Sequence, residues 1–216
     1  MSPGSFLLTL ASCLVLTAFQ QAGAACPSSH LEPTLDYGRA FGNPVSITTG
    51  IDIGPDFHNE EAIFQYVEYQ SRDSRDPGYS PVFAIHVFQN EVTRNARLVV
   101  GRLKAGKPVL LQMPLSASTV ELISTIASPL VRDTHYPKSP CPALYLDGWV
   151  IDVGVRWRSE NEVKFIGGTA YAPIAGTPAG HLGVLGRALR AVATGELAES
   201  ELQKALREKG IVKPPG

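Results

Sequence analysis

The chain has 216 residues, 44% of them hydrophobic and 18% charged, which is enough for one domain of ordinary size and excludes an intrinsically disordered chain. Nineteen Lys and Arg against twenty Asp and Glu leave a formal charge of −1. That balance gives no electrostatic footprint for nucleic acid, which requires a concentrated basic face, and no run of basic residues offers a hold to an anionic membrane.

The run from Phe6 to Phe19 is apolar and uncharged, and Ala22-Gly23-Ala24 follows it closely. An apolar core too short to span a bilayer comfortably, ending in small residues, predicts a secretory signal peptide over residues 1–25. Its positive charge comes from the α-amino group alone, since no Lys or Arg precedes residue 26. The expected location is outside the cytoplasm, periplasmic or secreted. The absence of an N-x-[S/T] sequon favours a bacterial source. No later stretch is long and apolar enough for a transmembrane helix.

Cleavage there removes Cys13 and leaves Cys26 and Cys141, which are expected to pair as a disulfide in an oxidising compartment. The alternative starts from Gly23-Ala24-Ala25-Cys26, which resembles a bacterial lipobox and would make Cys26 a lipid anchor. Gly23 stands where such signals carry Leu or another large aliphatic residue, so the disulfide is the preferred reading.

Residues 26–61 read as an extended N-terminal arm rich in Gly, Pro, Ser and Thr, with Val45-Ser46-Ile47 as its best edge-strand candidate. A single α+β domain is expected over 62–195, followed by a C-terminal helix and tail over 196–216. Ala62 to Gln70 has the aromatic and β-branched content of a strand. Ser71 to Pro81 is a turn-rich loop around Asp76-Pro77-Gly78. Pro81 to Phe88 is nearly continuous in apolar residues, as a central strand covered on both faces would be. Ala96 to Leu103 and Val109 to Leu115 form a hairpin around Lys104-Ala105-Gly106-Lys107.

Ser118-Thr119-Val120-Glu121 matches a capping box and predicts a mid-chain helix carrying Leu122, Ile123, Ile126, Ala127 and Leu130 at helical spacing. Cys141 to Pro173 predicts a three-strand antiparallel meander. In it Asp147-Gly148 makes a type I′ turn and Ser159 to Glu162 makes the second turn. Between those turns Trp149, Ile151, Val153, Val155 and Trp157 alternate with Val150, Asp152, Gly154, Arg156 and Arg158. A period of two places the tryptophans on one face and the arginines on the other. Two C-terminal helices follow. One carries Leu182, Leu185, Leu189 and Val192 and stops near Gly195; the other runs from Ala198 to Lys209 with Leu202, Ala205 and Leu206 on one side. The expected fold class is therefore α+β, a mostly antiparallel sheet of hairpins and a meander with one mid-chain and two C-terminal helices.

Three stretches offer chemistry. Asp52, Asp56, His58, Glu60 and Glu61 concentrate carboxylates and an imidazole that could hold a divalent metal and activate water, although their spacing matches no metal motif. Gly176 to Gly183 could cradle an anion at a helix N-terminus, or let a helix approach the sheet closely. Trp149, Asp152, Arg156, Trp157 and Arg158 could form a recognition surface, with the tryptophans otherwise serving as core. His86 lies in an apolar strand and reads as a hydrogen-bonded core histidine. With no G-x-S-x-G elbow and no patterned thiol, no catalytic residue is assigned.

These readings converge on a small exported binding protein without catalytic function and without a cofactor, of the inhibitor or immunity type, with a protein partner in the cell envelope. The alternatives are a metal-dependent hydrolase built on Asp52 to Glu61, and a structural envelope lipoprotein anchored at Cys26.

Overall fold

The computed structural model describes residues 28–29, 31–32, 44–51, 60–71, 79–134, 149–158 and 163–208. In chain order its elements are α1 (Pro44–Thr49), β1 (Glu60–Ser71), β2 (Tyr79–Asn90), β3 (Ala96–Lys104), β4 (Lys107–Leu115), α2 (Ala117–Arg132), β5 (Trp149–Arg158), β6 (Val163–Tyr171), α3 (Pro178–Ala193) and α4 (Glu199–Glu208). The six strands form one antiparallel sheet in the order β4-β3-β2-β1-β5-β6. This is the expected α+β architecture, with one mid-chain helix and two C-terminal helices.

Strands β1 to β4 follow one another as a meander, and the β5–β6 hairpin is added to the free edge of β1. Phe64 to Gln70 pairs with Val155 to Trp149. Residues 141–148, with Asp147-Gly148, lie outside the described residues. The second neighbour of β5 is thus β1, some eighty residues upstream, and not the stretch immediately before it. The tight turn at Ala105-Gly106 takes left-handed dihedrals at both positions (φ 52° and 74°), which a two-residue type I′ hairpin requires. Both ends of the row are shielded against further pairing. In β4, Pro108 and Pro114 remove backbone donors. Beyond β6, Ser28 and Glu32 hydrogen-bond to Tyr171 and Thr169.

Helices α2, α3 and α4 cover one face of the sheet. The core between them joins Phe64, Tyr66, Phe83, Ile85, Leu98, Ile151 and Val153 to Ile123, Ile126, Leu182, Leu185, Leu189, Leu202 and Leu206. Each fully buried Leu, Ile or Phe contributes roughly 1.5–3 kcal/mol from removal of its apolar surface from water. All four residues expected on the buried stripe of α3 are buried. The approach is close. A Cβ on Gly186 would come within 2.4 Å of the Tyr66 ring, and one on Gly183 within 2.7 Å of the Trp149 ring.

The opposite face carries a smaller cluster of Val45, Val67, Tyr69, Ala84, Phe88, Val99 and Val150 under α1. Pro81 to Phe88 is therefore a doubly covered central strand, as its apolar run implies. Helix α1 occupies the place read as extended arm or edge strand. Pro44 at its first position has the pre-set φ of a helix start, and Gly50 (φ 71°) closes it. It can lie against β3 because a Cβ at Gly101 would meet Val45 Cγ1 at 2.5 Å.

Two further expectations are corrected. The N-cap of α2 is Ser116, whose Oγ accepts from the Thr119 N–H, two residues before the expected box. The carboxylate that a capping box would take from its own third position comes instead from α4. Glu199 Oε1 accepts from the Ser116 N–H (2.9 Å), the Ser116 hydroxyl (2.6 Å) and the Thr119 hydroxyl. The expected Cys26–Cys141 disulfide is absent, since the three cysteines form no disulfide. An even cysteine count sets parity only, whereas a bridge needs Cα atoms about 4.4–6.8 Å apart, which spacing along a chain does not provide. Cys13, Cys26 and Cys141 all lie outside the described residues, as does the whole of the expected signal peptide.

Candidate functional site

The candidate residues are distributed very unevenly. Asp52, Asp56 and His58 lie outside the described residues. Glu60 and Glu61 are described: Glu61 pairs with Arg156, and Glu60 has both carboxylate oxygens on Arg97, from Nε at 2.7 Å and Nη2 at 2.6 Å. Both partners are buried, and Arg97 also stacks 4.5 Å above the Phe88 ring. A carboxylate gripped this way has its acceptor sites directed at a guanidinium. Among the described residues, no group of three or more His, Cys, Asp or Glu is placed to hold a metal ion.

The glycine-rich entry to α3 already has its donors engaged. Pro178 has no N–H, the Ala179 N–H bonds to the Ser29 carbonyl, and the Gly180 N–H bonds to Thr177 Oγ1. The glycines serve the close packing on Trp149 and Tyr66. His86 is buried and has no hydrogen-bond partner for either ring nitrogen, so the expected hydrogen bond is not made. Burial, and then the nearby Arg97 charge, push its pKa down to about 3. It is a neutral core residue in edge-to-face contact with Phe88, 4.9 Å between ring centroids, and cannot serve as a base near neutral pH.

The proposed recognition residues on β5 part company. Trp149 turns to the helix layer, under the Arg187 guanidinium at 4.1 Å, and Arg187 also bonds to Glu68. Asp152 is buried on the other face and accepts from the Thr169 hydroxyl at 2.6 Å. The side chains of Trp157 and Arg158 lie outside the described residues. Arg156 reaches an open feature of the molecule.

That feature is a cleft of about 290 Å³ at the end of the sheet where the β2–β3 turn meets α2, lined by Ile63, Gln89, Glu91, Arg94, Ser124, Ser128, Arg132 and Arg156. Three guanidiniums thus face one carboxylate. Arg156 Nη2 donates to Glu91 Oε1 at 2.7 Å, and its Nη1 pairs with Glu61. Helix α2 contributes Ser124, Ser128 and Arg132, spaced i, i+4, i+8 and therefore aligned along one side of the helix. The turn contributes Arg94 in a left-handed conformation (φ 61°). Asn90 holds that turn. Its Oδ1 accepts from the Val92 and Thr93 N–H groups, and its carbonyl accepts from the Arg94 N–H. The chain matches no protein family and no curated protein.

The alternation of β5 marks Arg156, whereas Glu91 and Arg94 belong to no periodic pattern in the sequence. Ser124-x3-Ser128-x3-Arg132 was legible as a polar stripe on a predicted helix. That it faces Arg156 depends on how α2 crosses the sheet.

Proposed function

We propose that this is a small exported binding protein without catalytic function, of the inhibitor or immunity type, which engages a protein partner in the cell envelope through the cleft at Arg94, Arg132 and Arg156. The cleft carries this reading. Arginine is enriched at interface centres, and a pocket of about 290 Å³ is the right size for one anchoring side chain of a partner. Export rests on the apolar run from Phe6 to Phe19 and the small residues after it. The metal-hydrolase alternative loses support because Glu60 is committed to Arg97. Anchoring at Cys26 gains none.

Native mass spectrometry of the protein taken from its own compartment tests this. The expected result is a complex with one second chain, strongly depleted in an Arg94→Ala/Arg132→Ala variant that remains folded. A free monomer, or a complex indifferent to that double substitution, would remove the basis for the reading.

A further inference from the structure

We infer that β4 is a self-association edge, on which a second copy of this chain adds its own β4 in antiparallel register about a two-fold axis through Leu111. The inference goes beyond the cleft described above, since none of the residues lining that cleft belongs to β4.

The β3–β4 register fixes which backbone groups point outward. The two-residue turn at Ala105-Gly106 makes Lys104 and Lys107 a hydrogen-bonded pair, and bonded and non-bonded pairs alternate from there. Val109, Leu111 and Met113 therefore bond to β3, while Pro108, Leu110, Gln112 and Pro114 turn their backbone groups away from it. Strand β4 ends the row, so this outward side meets no other strand of the sheet. Shielding by proline is confined to its two ends. Between them the N–H and carbonyl groups of Leu110 and Gln112 lie open along the edge.

That donor pattern is its own complement. Pro108 and Pro114 stand three residues to either side of Leu111. With Leu111 on the axis, Leu110 of each copy faces Gln112 of the other, and each such pair exchanges two N–H···O bonds. Two donors from each copy thus give four bonds. Pro108 then faces Pro114 of the other copy, so the rings that push the strands apart sit clear of every bond. An antiparallel register shifted either way sets a proline opposite Leu110 or Gln112 and disturbs the bonds made there.

The side chains agree with the backbone. On the helix-covered face the same register sets Leu111 against Leu111 and Val109 against Met113, all half-buried in the single chain. Residues opposite one another in a non-hydrogen-bonded pair lie about 4.5 Å apart at Cα, close enough for these side chains to cover each other. Charge agrees as well. The exposed Lys107 comes opposite Leu115 of the other copy. Leu115 immediately precedes Ser116, whose N–H and hydroxyl hold the Glu199 carboxylate. A cation at one end of each β4 therefore meets an anion at the far end of its mate, and the two-fold axis makes this contact twice.

The test uses the purified full chain alone. Sedimentation equilibrium from about 10 μM to about 1 mM measures association, and amide hydrogen exchange at both ends of that range locates the contact. The expected result is a weak dimer, half formed at roughly 100 μM, as suits a small edge-to-edge interface. The Leu110 and Gln112 amides should exchange freely in dilute protein and gain protection as concentration rises. Those of Val109, Leu111 and Met113 should be protected by β3 throughout. Gln112→Pro should weaken association by roughly 30-fold, since it removes one bond per copy from each side of the axis. Its urea midpoint should change little, because that N–H makes no bond to β3 and β4 already carries proline at two equivalent positions. Lys107→Glu should weaken association by roughly 3- to 10-fold at low salt, and by less at about 0.5 M salt.

A chain still monomeric at about 1 mM would overturn the inference. So would a dimer that leaves the Leu110 and Gln112 amides unprotected, or one indifferent to Gln112→Pro. Protection of those amides in a complex with a different chain alone would give the edge to a foreign strand and overturn self-pairing too. No other protein enters this experiment, so its failure and the failure of the cleft reading are told apart.

Discussion

Replacing His86 with Leu should stabilise the protein, and stabilise it more as the solution is acidified. The wild-type ring is buried with neither nitrogen hydrogen-bonded, so the neutral tautomer leaves one N–H donor unmade. Such a group costs about 1–3 kcal/mol, of which an imperfect fit of the leucine beside Phe88 returns part, leaving a gain of about 1 kcal/mol at pH 7.5. The pH term is separate. The imidazole has its pKa pushed from 6.5 to about 3 in the fold, by burial first and the Arg97 charge second. Between those values the unfolded chain carries a proton on His86 that the native chain does not, so native stability falls as pH drops through that window. The slope approaches 1.4 kcal/mol per pH unit, so the advantage of the variant should grow by about 3 kcal/mol between pH 7.5 and 4.5. Urea denaturation of both proteins at several pH values isolates this term, because the carboxylates common to both cancel in the difference. A wild-type-minus-variant difference that stays constant from pH 7.5 to 4.5 would refute a neutral, unpartnered His86, whatever its sign.

Three further outcomes follow from packing and polar contacts. Gly186→Ala gains helix propensity but drives a methyl into Tyr66 at 2.4 Å, and it should lower unfolding free energy by about 1–3 kcal/mol, read as a fall in the urea midpoint. Glu60→Gln strips the charge from a pair in which Arg97 is 9% exposed at its side chain, and it should cost roughly 3 kcal/mol with little dependence on salt; a change under 0.5 kcal/mol would contradict a buried pair. Glu199→Ala removes the tertiary cap of α2 and should cost about 1 kcal/mol. Burial alone would raise the Glu199 pKa, but hydrogen bonds from Ser116 and Thr119 outweigh it and hold the carboxyl below its ordinary value of 4.5. Its contribution is therefore present above that pH and lost below it, and the wild type and Glu199→Ala should converge in stability under acid.

Periodicity and turn chemistry carried much of the architecture, because those signals are local. Ala105-Gly106 marks its hairpin through the two left-handed residues that such a turn needs, and Leu182, Leu185, Leu189 and Val192 mark the inner side of α3 at helical spacing. Local reading failed where two signals competed or where the partner was distant. Val45-Ser46-Ile47 has strand-forming side chains, yet the Pro44 start and the Gly50 stop made it a turn and a half of helix. The Ser118-to-Glu121 box was well formed in sequence, but Ser116 had a better carboxylate available in Glu199, 83 residues away.

The sequence by itself determined the elements that depend on neighbours a few residues apart: the strand alternation, the helical stripes, the hairpin turn, and the apolar N-terminal run from which export is proposed. Tertiary structure alone decided which polar residues meet. Glu60 and Glu61 are adjacent in the chain, yet one is closed in a bidentate pair with Arg97 while the other shares Arg156 with Glu91 at the cleft. Neighbours along a strand point to opposite faces, and what waits on each face is set by strand order and helix crossing. The cleft draws Ile63, Glu91, Ser128 and Arg156 from four different segments. No periodicity within one segment could have brought them together.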